Sequence, residues 1–274
     1  MRFLEKLEAA VERNDSLLCV GLDPDPALMA IEDVAAFNRA IIEATSDLVC
    51  CYKPNLAFYE ALGGEGWDAL RATMAAVPAH IPVIADAKRG DIGNTAAAYA
   101  RAIFDVLGAD AMTVNCYGGR DSMEPFLERE DRGVLVWCRS SNPGAGDLQD
   151  LEVSFGPDRQ PLWQVVALRA RAWNTRGNVG LVVGATYPVQ LAQARALCPD
   201  MPVLVPGVGA QEGAVGEAVR AGLDARGRGI IVSASRGVTY ASRGRDFAEA
   251  AREAALKLRD EINGHRRAGT ASGG

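Results

Sequence analysis

Residues 81–95 of this chain read IPVIADAKRGDIGNT, an apolar run that ends in charged side chains. Residues 81–85 are typical of a buried strand. Asp86 and Lys88 are two positions apart, so on a strand they project to the same face, and Asp91 follows just before an alanine-rich helical segment. Because desolvating charges is costly unless they are paired, a buried strand seldom ends in this way. The stretch therefore predicts a functional cluster, with a structural ion pair as the alternative.

The same strand pattern recurs along the chain in alternation with helical periodicity. Short runs rich in Val, Ile and Leu are typical of strands buried on both faces of a parallel sheet. The predicted strands are residues 17–22, 48–52, 81–85, 111–115, 134–138, 180–183, 202–205 and 229–233. The predicted helices are residues 34–45, 67–76, 95–107, 122–130, 161–175, 189–197, 212–221 and 246–262. Eight strand–helix units after an N-terminal helix predict an α/β fold, the (β/α)8 TIM barrel of about 250 residues.

A doubly wound open sheet is the alternative architecture. No Gly-x-Gly-x-x-Gly motif follows the first predicted strand, and polar residues follow many different strands, so the closed barrel is favoured. No linker or change of composition divides the chain. We therefore predict a single domain over residues 1–263 and a disordered polar tail, GHRRAGTASGG, at residues 264–274.

Composition narrows the classes of partner. The 274 residues carry a formal net charge of -6, so nothing favours nucleic acid or an anionic membrane. No apolar run approaches the roughly 18 residues of a membrane helix, and the first residues are amphipathic rather than signal-like. The six cysteines lie mostly in apolar runs without zinc-ligand spacing. Buried free thiols in a reducing cytoplasm are therefore expected.

In a barrel of this kind the chemistry lies at the carboxyl ends of the strands. The seventh predicted strand is followed by PGVGAQ at residues 206–211, and the eighth by Ser235 and Arg236. Loops at these two positions commonly bind phosphate through backbone N–H groups, and an arginine can add a bidentate contact. The polar residues that follow the first, second, third and fifth strands are Asp23, Lys53, Asn55, Asp86, Lys88, Asp91, Arg139, Ser140, Ser141 and Asn142.

Lys88 is the candidate for chemistry. Of the two histidines, His80 precedes the third strand and His265 lies in the tail, so neither is expected to act as a base. Lysines among the carboxylates also disfavour a metal site. Flanking carboxylates favour the protonated form of a lysine, which is a poor Schiff-base nucleophile but a good general acid. The residues favour decarboxylation with proton delivery to a carbanion, which needs no cofactor if the substrate itself stabilises that carbanion.

These residues together resemble the orotidine 5'-monophosphate decarboxylase family, and most closely its bacterial branch with a longer segment after strand five. The hallmark Asp-x-Lys-x-x-Asp occupies residues 86–91 and is followed by Ile92 and Thr95. The resemblance extends over residues 15–260. Its other motifs are GLD at residues 21–23, KPN at 53–55, SNPG at 141–144, PGVGAQ at 206–211 and SR at 235–236.

The resemblance implies cofactor-free conversion of orotidine 5'-phosphate to uridine 5'-phosphate in pyrimidine biosynthesis, in the cytoplasm. Lys88 would protonate C6 of the pyrimidine, and Asp86 would lie against the substrate carboxylate. The network would be completed by Lys53 and Asp91, with Asp91, Ile92 and Thr95 reaching the neighbouring site of a homodimer. The substrate contacts implied are Asp23 and Lys53 at the ribose, Ser141 at the base, and Gln211, Ser235 and Arg236 at the phosphate.

Four alternatives remain open at this point. A metal-dependent sugar-phosphate decarboxylase of the same superfamily resembles the chain at strand three but carries an acidic metal ligand in place of Lys53. A Schiff-base aldolase would use Lys88 as its nucleophile. A non-catalytic phosphate-binding barrel would need neither Asp86 nor Lys88. Finally, either Ser140 or Ser141 could contact the base.

Overall fold

The structure, a computed structural model, describes residues 1–207 and 214–271. Its strands alternate with helices along the chain, and a separate hairpin formed by β6 and β7 lies between the fifth and sixth strands of the main sheet. The strands are β1 Leu18–Leu22, β2 Cys51–Pro54, β3 Ile84–Arg89, β4 Ala111–Val114, β5 Gly133–Arg139, β6 Glu152–Phe155, β7 Asp158–Pro161, β8 Val179–Val183, β9 Val203–Pro206 and β10 Ile230–Ala234.

The eight strands of the main sheet are parallel and run in the order β2-β1-β10-β9-β8-β5-β4-β3. Two further parallel bridges, between Tyr52 and Val83 and between Asn55 and Asp86, join the two edge strands. The sheet therefore forms a nearly closed barrel, and the predicted TIM-barrel fold is confirmed. A closed sheet leaves few unpaired backbone groups at its edges.

Helices surround the barrel and cover the outer face of its strands. The α-helices are α1 Phe3–Asn14, α2 Val34–Thr45, α3 Leu56–Glu60, α4 Gly63–Ala76, α5 Gly93–Ala100, α6 Arg120–Leu127, α7 Gly146–Gln149, α8 Leu162–Trp173, α9 Pro188–Leu197, α10 Ala214–Gly222, α11 Arg236–Thr239 and α12 Phe247–Ala271. A π-helical turn, Arg101–Val106, continues α5, and a 3-10 turn, Pro143–Ala145, precedes α7. None of the helices in the described ranges is long and apolar enough to cross a membrane.

Burial on both faces explains why apolar and polar residues do not alternate along the strands. All five residues of β1 are buried, as are all five of β8 and of β10, because one face of each strand fills the barrel and the other packs against helices. At the amino-terminal end of the barrel, α1 packs across the start of β5. A Cβ at residue 133 would lie 2.3 Å from the ring of Phe3, so glycine at that position permits the close packing.

Two strands lie further along the chain than predicted. The second strand was predicted at residues 48–52 and is Cys51–Pro54; the third was predicted at residues 81–85 and is Ile84–Arg89. Both therefore extend into the polar residues that were expected to follow them. The bridge between Asn55 and Asp86 shows the reason: backbone pairing continues to the mouth of the barrel although the side chains have become polar.

The segment predicted as a disordered tail is helical as far as Ala271, because α12 continues well beyond residue 262. Side chains anchor this extension to the barrel. Asn263 Nδ2 donates to the Asp15 carbonyl oxygen at 2.6 Å, and Arg266 Nε donates to the Gly227 carbonyl oxygen at 2.8 Å. Packing thus supports a helix where composition alone suggested disorder. Residues 272–274 lie outside the described residues.

Candidate active site

The charged end of β3 lies inside the mouth of the barrel. Asp86 is 8% exposed, and its carboxylate accepts hydrogen bonds from two lysines. Lys88 Nζ donates to Asp86 Oδ1 at 2.7 Å, and Lys53 Nζ donates to Asp86 Oδ2 at 3.0 Å. Each carboxylate oxygen therefore faces one ammonium group. Asp86 and Lys88, which were expected to share one face of the strand, are hydrogen-bonded to each other, and β2 contributes a second cation.

A second carboxylate extends this array. Asp23, which directly follows β1, places Oδ1 3.9 Å from Lys53 Nζ and accepts a hydrogen bond from the Asn55 backbone N–H at 3.2 Å. Carboxylates and ammonium groups consequently alternate in the order Asp23, Lys53, Asp86, Lys88. Each interior charge has an opposite charge on both sides, which is the arrangement that makes burial of ions tolerable.

The pKa values of the two buried members shift in opposite directions. Burial by itself lowers the pKa of Lys53, but Asp23 and Asp86 outweigh it, so that pKa lies above its usual range. Burial likewise raises the pKa of Asp86, but Lys53 and Lys88 outweigh it, and that pKa lies well below its usual range. Both groups are therefore ionised at neutral pH.

Lys88 has an unusual backbone for a residue other than glycine. Its φ is +45°, in the left-handed region, at an irregularity of β3 where the register with β4 shifts. The ammonium group also lies 5.8 Å from the centre of the Trp137 ring on β5. The side chain of Lys88 is 36% exposed and that of Asp86 only 9%, so Lys88 is the more accessible of the two.

The charged array opens into a cleft of about 860 Å3 at the carboxyl end of the barrel. Asp23, Lys53 and Asp86 line one part of the cleft, and residues following β9 and β10 line another. The structure thus brings Asp23, Lys53 and Asp86 into one space with Pro206 and Gly207, the described residues of the predicted phosphate loop. The lining comprises Asp23, Asp25, Leu28, Lys53, Asn55, Phe58, Asp86, Pro206, Gly207, Ser233, Ser235, Arg236, Gly237 and Tyr240.

The described part of the predicted phosphate region consists of Gly207, Ser235 and Arg236. Gly207 has φ +87°, a backbone conformation that glycine adopts without strain. Ser235 packs closely against β1: a Cβ at residue 21 would clash with Ser235 Oγ, so glycine there lets the serine keep its position. Arg236 begins α11 and is exposed. Gln211, predicted to contact the phosphate, lies outside the described residues.

The segment after β5 folds back on itself, so that the Ser140 backbone N–H donates to Gln149 Oε1 at 2.9 Å. The Ser140 hydroxyl donates to Asn142 Oδ1, whereas Ser141 is exposed and packs against Gly184. Arg139 does not point into the cleft as a substrate ligand. Its buried guanidinium donates to Gln149 and Asp150, and it stacks on the Tyr187 ring 4.5 Å away. That arginine holds the loop that carries the two serines.

Asp91, Ile92 and Thr95 lie apart from the charged array. Asp91 is exposed, and its Oδ1 accepts a hydrogen bond from the Ile92 backbone N–H at 2.7 Å. Ile92 is 67% exposed, and Thr95 lies half-buried in the first turn of α5. None of the three is among the described residues that line the cleft of their own chain.

Metal ligands do not cluster in the described part of the chain. In residues 1–207 and 214–271 no group of three or more His, Cys, Asp or Glu side chains is placed to hold a metal ion. The six cysteines are free, and all except the half-buried Cys116 are buried.

Residues 16–254 match the family described as orotidine 5'-phosphate decarboxylase / HUMPS. The chain belongs to this family. It is 55% identical over 269 residues to the orotidine 5'-phosphate decarboxylase of Thermomicrobium roseum, covering 96% of this chain and 95% of that protein. It is 54% identical over 275 residues to that of Roseiflexus castenholzii, covering 98% of this chain and all of the relative. Among solved structures, the OMP decarboxylase of Leishmania donovani has a TM-score of 0.86 and 45% identity, covering 97% and 99% of the two chains.

Within this member of the decarboxylase family, two polar groups beside the array were not predicted from the sequence. Thr113 on β4 hydrogen-bonds Asp86, and the Tyr240 hydroxyl donates to the Asp23 carbonyl oxygen at 2.6 Å. Thr113 lies within an apolar strand, where a lone threonine gives no signal of its own. Tyr240 follows Arg236 by four residues, so proximity to the predicted phosphate region was the available clue.

Proposed function

We propose that the chain converts orotidine 5'-phosphate to uridine 5'-phosphate, a decarboxylation in pyrimidine biosynthesis, with Lys88 as proton donor. The observation that carries this proposal is the Asp86 carboxylate held between Lys53 and Lys88, in the cleft that Arg236 also lines. Membership of the decarboxylase family and relatives that match over nearly the whole chain support the reaction.

The proposed chemistry requires one bond to break and one to form. The bond between C6 of the pyrimidine and its carboxylate breaks, carbon dioxide leaves, and the electron pair remains on C6. The Lys88 ammonium transfers a proton to C6, which completes uridine 5'-phosphate, and the neutral amine regains a proton from solvent. General acid catalysis of this kind is worth about 10²–10⁴-fold in rate.

The ionised array supplies the rest of the stabilisation. Asp86 stays negative at neutral pH because both lysines lower its pKa, so it would repel a substrate carboxylate placed against it. That repulsion disappears when carbon dioxide leaves, whereas the ammonium groups of Lys53 and Lys88 favour negative charge developing at C6. Because the array is already assembled, little reorganisation is needed during the reaction.

The remaining predicted residues are proposed to hold the substrate. Arg236 and Ser235, with the backbone at Gly207, would bind the phosphate, and Gln211 would join them. Asp23 and Lys53 would bind the ribose hydroxyls, and Ser141 the pyrimidine ring. Contacts far from the reacting carbon can supply binding energy that organises the site for catalysis.

We further propose a homodimer in which Asp91, Ile92 and Thr95 serve the partner's site. Ile92 is 67% exposed and Tyr117 is 84% exposed, and both follow the adjacent strands β3 and β4. The Asn115 N–H donates to the Arg89 carbonyl oxygen at 2.8 Å, which keeps the two strand ends together. Exposed apolar side chains beside an exposed Asp91 suit a surface between two copies. The same proposal includes a cytoplasmic location and a single domain.

The proposal is tested by following the absorbance of orotidine 5'-phosphate as it is converted by the purified protein, with and without EDTA. Turnover that is insensitive to EDTA is expected. Turnover that EDTA abolishes would point to a metal-dependent relative, and folded protein that binds uridine 5'-phosphate without turnover would point to a phosphate-binding barrel. Borohydride trapping in the presence of substrate, which should give no adduct, separates the reaction from Schiff-base chemistry.

A further inference from the structure

Thr113 on β4 lies directly beneath the residue proposed to donate the proton. Its side chain is fully buried, and its hydroxyl makes three hydrogen bonds to consecutive residues of β3. Oγ1 accepts from the backbone N–H groups of Ala87 and Lys88, each at 3.0 Å. It also donates to Asp86 Oδ1 at 2.8 Å. A hydroxyl has one proton and two lone pairs, so its hydrogen-bonding capacity is completely used.

The pairing of β3 with β4 explains why a hydroxyl is needed here. Ala85 pairs with Met112 and Arg89 pairs with Val114, so three residues of β3 face one residue of β4. The backbone N–H groups of the extra residues cannot all find a carbonyl on the neighbouring strand. The Thr113 hydroxyl accepts from two of them, and buried N–H groups left without an acceptor are destabilising.

The same hydroxyl supports an uncommon backbone conformation. Lys88 has φ +45°, and a left-handed conformation of a residue other than glycine is strained and persists only where its surroundings hold it in place. The hydrogen bond to the Lys88 N–H is one such constraint. The hydrogen bond from Thr113 to Asp86 Oδ1 is a second constraint. It holds the oxygen that also accepts from Lys88 Nζ at 2.7 Å.

We infer that Thr113 is a positioning residue for proton transfer. Its hydroxyl fixes both the backbone of Lys88 and the Asp86 carboxylate that orients the Lys88 ammonium group. The inference rests on the proposed function, since it takes Lys88 as the proton donor. Thr113 is fully buried beneath Lys88 and Asp86, so its effect on substrate must pass through these two residues. Loss of the hydroxyl is therefore expected to lower kcat much more than it raises KM.

The experiment compares Thr113→Val, which removes the hydroxyl at nearly constant volume, with Thr113→Ser, which keeps it. Misplacing a reacting group by about 1 Å can cost about 10²-fold in rate, so kcat of Thr113→Val should fall by about 10–100-fold. KM for orotidine 5'-phosphate should stay close to that of the wild type, and Thr113→Ser should restore most of kcat. Thr113→Val that is folded and retains wild-type kcat would overturn the inference.

A matched control separates positioning from stability. Thr73 is also buried, and its Oγ1 accepts from Asn38 Nδ2 at 2.9 Å, away from the cleft. Thr73→Val should lose stability in denaturant but keep kcat. If Thr113→Val does not fold, Thr113→Cys, with a weaker donor and acceptor of similar size, is measured instead and should have an intermediate kcat. Wild-type kcat in that folded variant would equally contradict the inference.

A readout that does not depend on turnover separates this inference from the proposed function. The chain has four lysines, so 13C labelling at lysine Cε gives few signals, and Lys88→Arg assigns one of them. The Lys88 signal should move in Thr113→Val and not in Thr73→Val. An unmoved signal would show that Thr113 does not position Lys88. Absence of turnover in the wild-type protein, with the signal moved, would instead contradict only the proposed function.

Discussion

Lys53 Nζ lies 3.0 Å from Asp86 Oδ2 in a part of the barrel where the lysine is only 4% exposed. The pair joins the end of β2 to the middle of β3. Removing one member of such a buried pair typically costs about 3–5 kcal/mol, because the other charge is left without compensation. The array is therefore a unit, and substitutions in it are best interpreted together with a measurement of folding.

Replacing Lys88 tests the proton donor. Lys88→Ala should lower turnover of orotidine 5'-phosphate by about 10²–10⁴-fold, because general acid catalysis is lost. The fold should survive, since the side chain is 36% exposed. Lys6→Ala is the control: Lys6 Nζ donates to Asp110 at 2.9 Å in a partly buried ion pair outside the cleft, and its loss should leave turnover unchanged. A folded Lys88→Ala variant that keeps more than about a tenth of the activity would exclude Lys88 as the acid.

Acid titration tests the ionised state of Asp86. Its pKa in the folded chain lies below its ordinary value of 3.8, so the contribution to stability is present above that value and is lost as pH falls toward the folded pKa. Asp86→Asn lacks this titration. Between about pH 5 and pH 3, the free energy of unfolding should fall by about 1 kcal/mol more in the wild type than in the variant. The free energy of unfolding is measured at each pH by denaturant titration. If it depends on pH equally in the wild type and the variant, lysine pairing does not hold Asp86 ionised.

Mixed dimers test whether the site is shared. Lys88→Ala and Asp91→Ala proteins should each be nearly inactive. In a mixed dimer one site would contain both changes and the other neither, so equal mixing with complete exchange should restore about a quarter of wild-type activity. Mixing Lys88→Ala with the Lys88→Ala/Asp91→Ala double variant is the control and should restore none. No recovery after exchange has been demonstrated would mean that Asp91 serves its own chain.

A truncated substrate tests the phosphate contact. Arg236→Ala should lower kcat/KM for orotidine 5'-phosphate by a factor that corresponds to about 2–4 kcal/mol of activation free energy. The variant would lose a charge-assisted contact that becomes buried once substrate is bound. The same change should matter little for orotidine, which has no phosphate. Arg243→Ala, at a nearby exposed arginine that does not line the cleft, is the matched control and should affect neither substrate. Equal harm to both substrates by Arg236→Ala would assign Arg236 to another role.

The fold could be predicted because its signals are local. Runs of Val, Ile and Leu buried on both faces, each followed by a helical period, indicate a parallel α/β sheet, and all eight barrel strands were found at or near the predicted positions. The β6–β7 hairpin was not predicted, although Gly156 with φ +65° and Pro157 mark its turn. A short, half-exposed hairpin carries a weak periodic signal, and packing against α8 helps to stabilise it.

The helical end of α12 could not be predicted from the sequence either. Residues 264–271 are small and polar, which suggested disorder, but Asn263 and Arg266 bind backbone carbonyls of Asp15 and Gly227. Those partners are distant in the sequence. Composition reports the intrinsic preference of a segment and carries no information on which distant groups will accept its hydrogen bonds.

The sequence by itself determined the chemical content of the site: a lysine and a carboxylate two residues apart on one strand face, further charged groups after other strands, and a glycine-rich loop with an arginine opposite. The tertiary structure decided which groups meet. Asp86 is hydrogen-bonded to Lys53, 33 positions away in the sequence, and to Thr113, 27 positions away. Barrel closure and the irregular register of β3 bring these side chains together. Side-chain periodicity depends on neighbours within one element, whereas distances between strands depend on register and packing across the whole barrel.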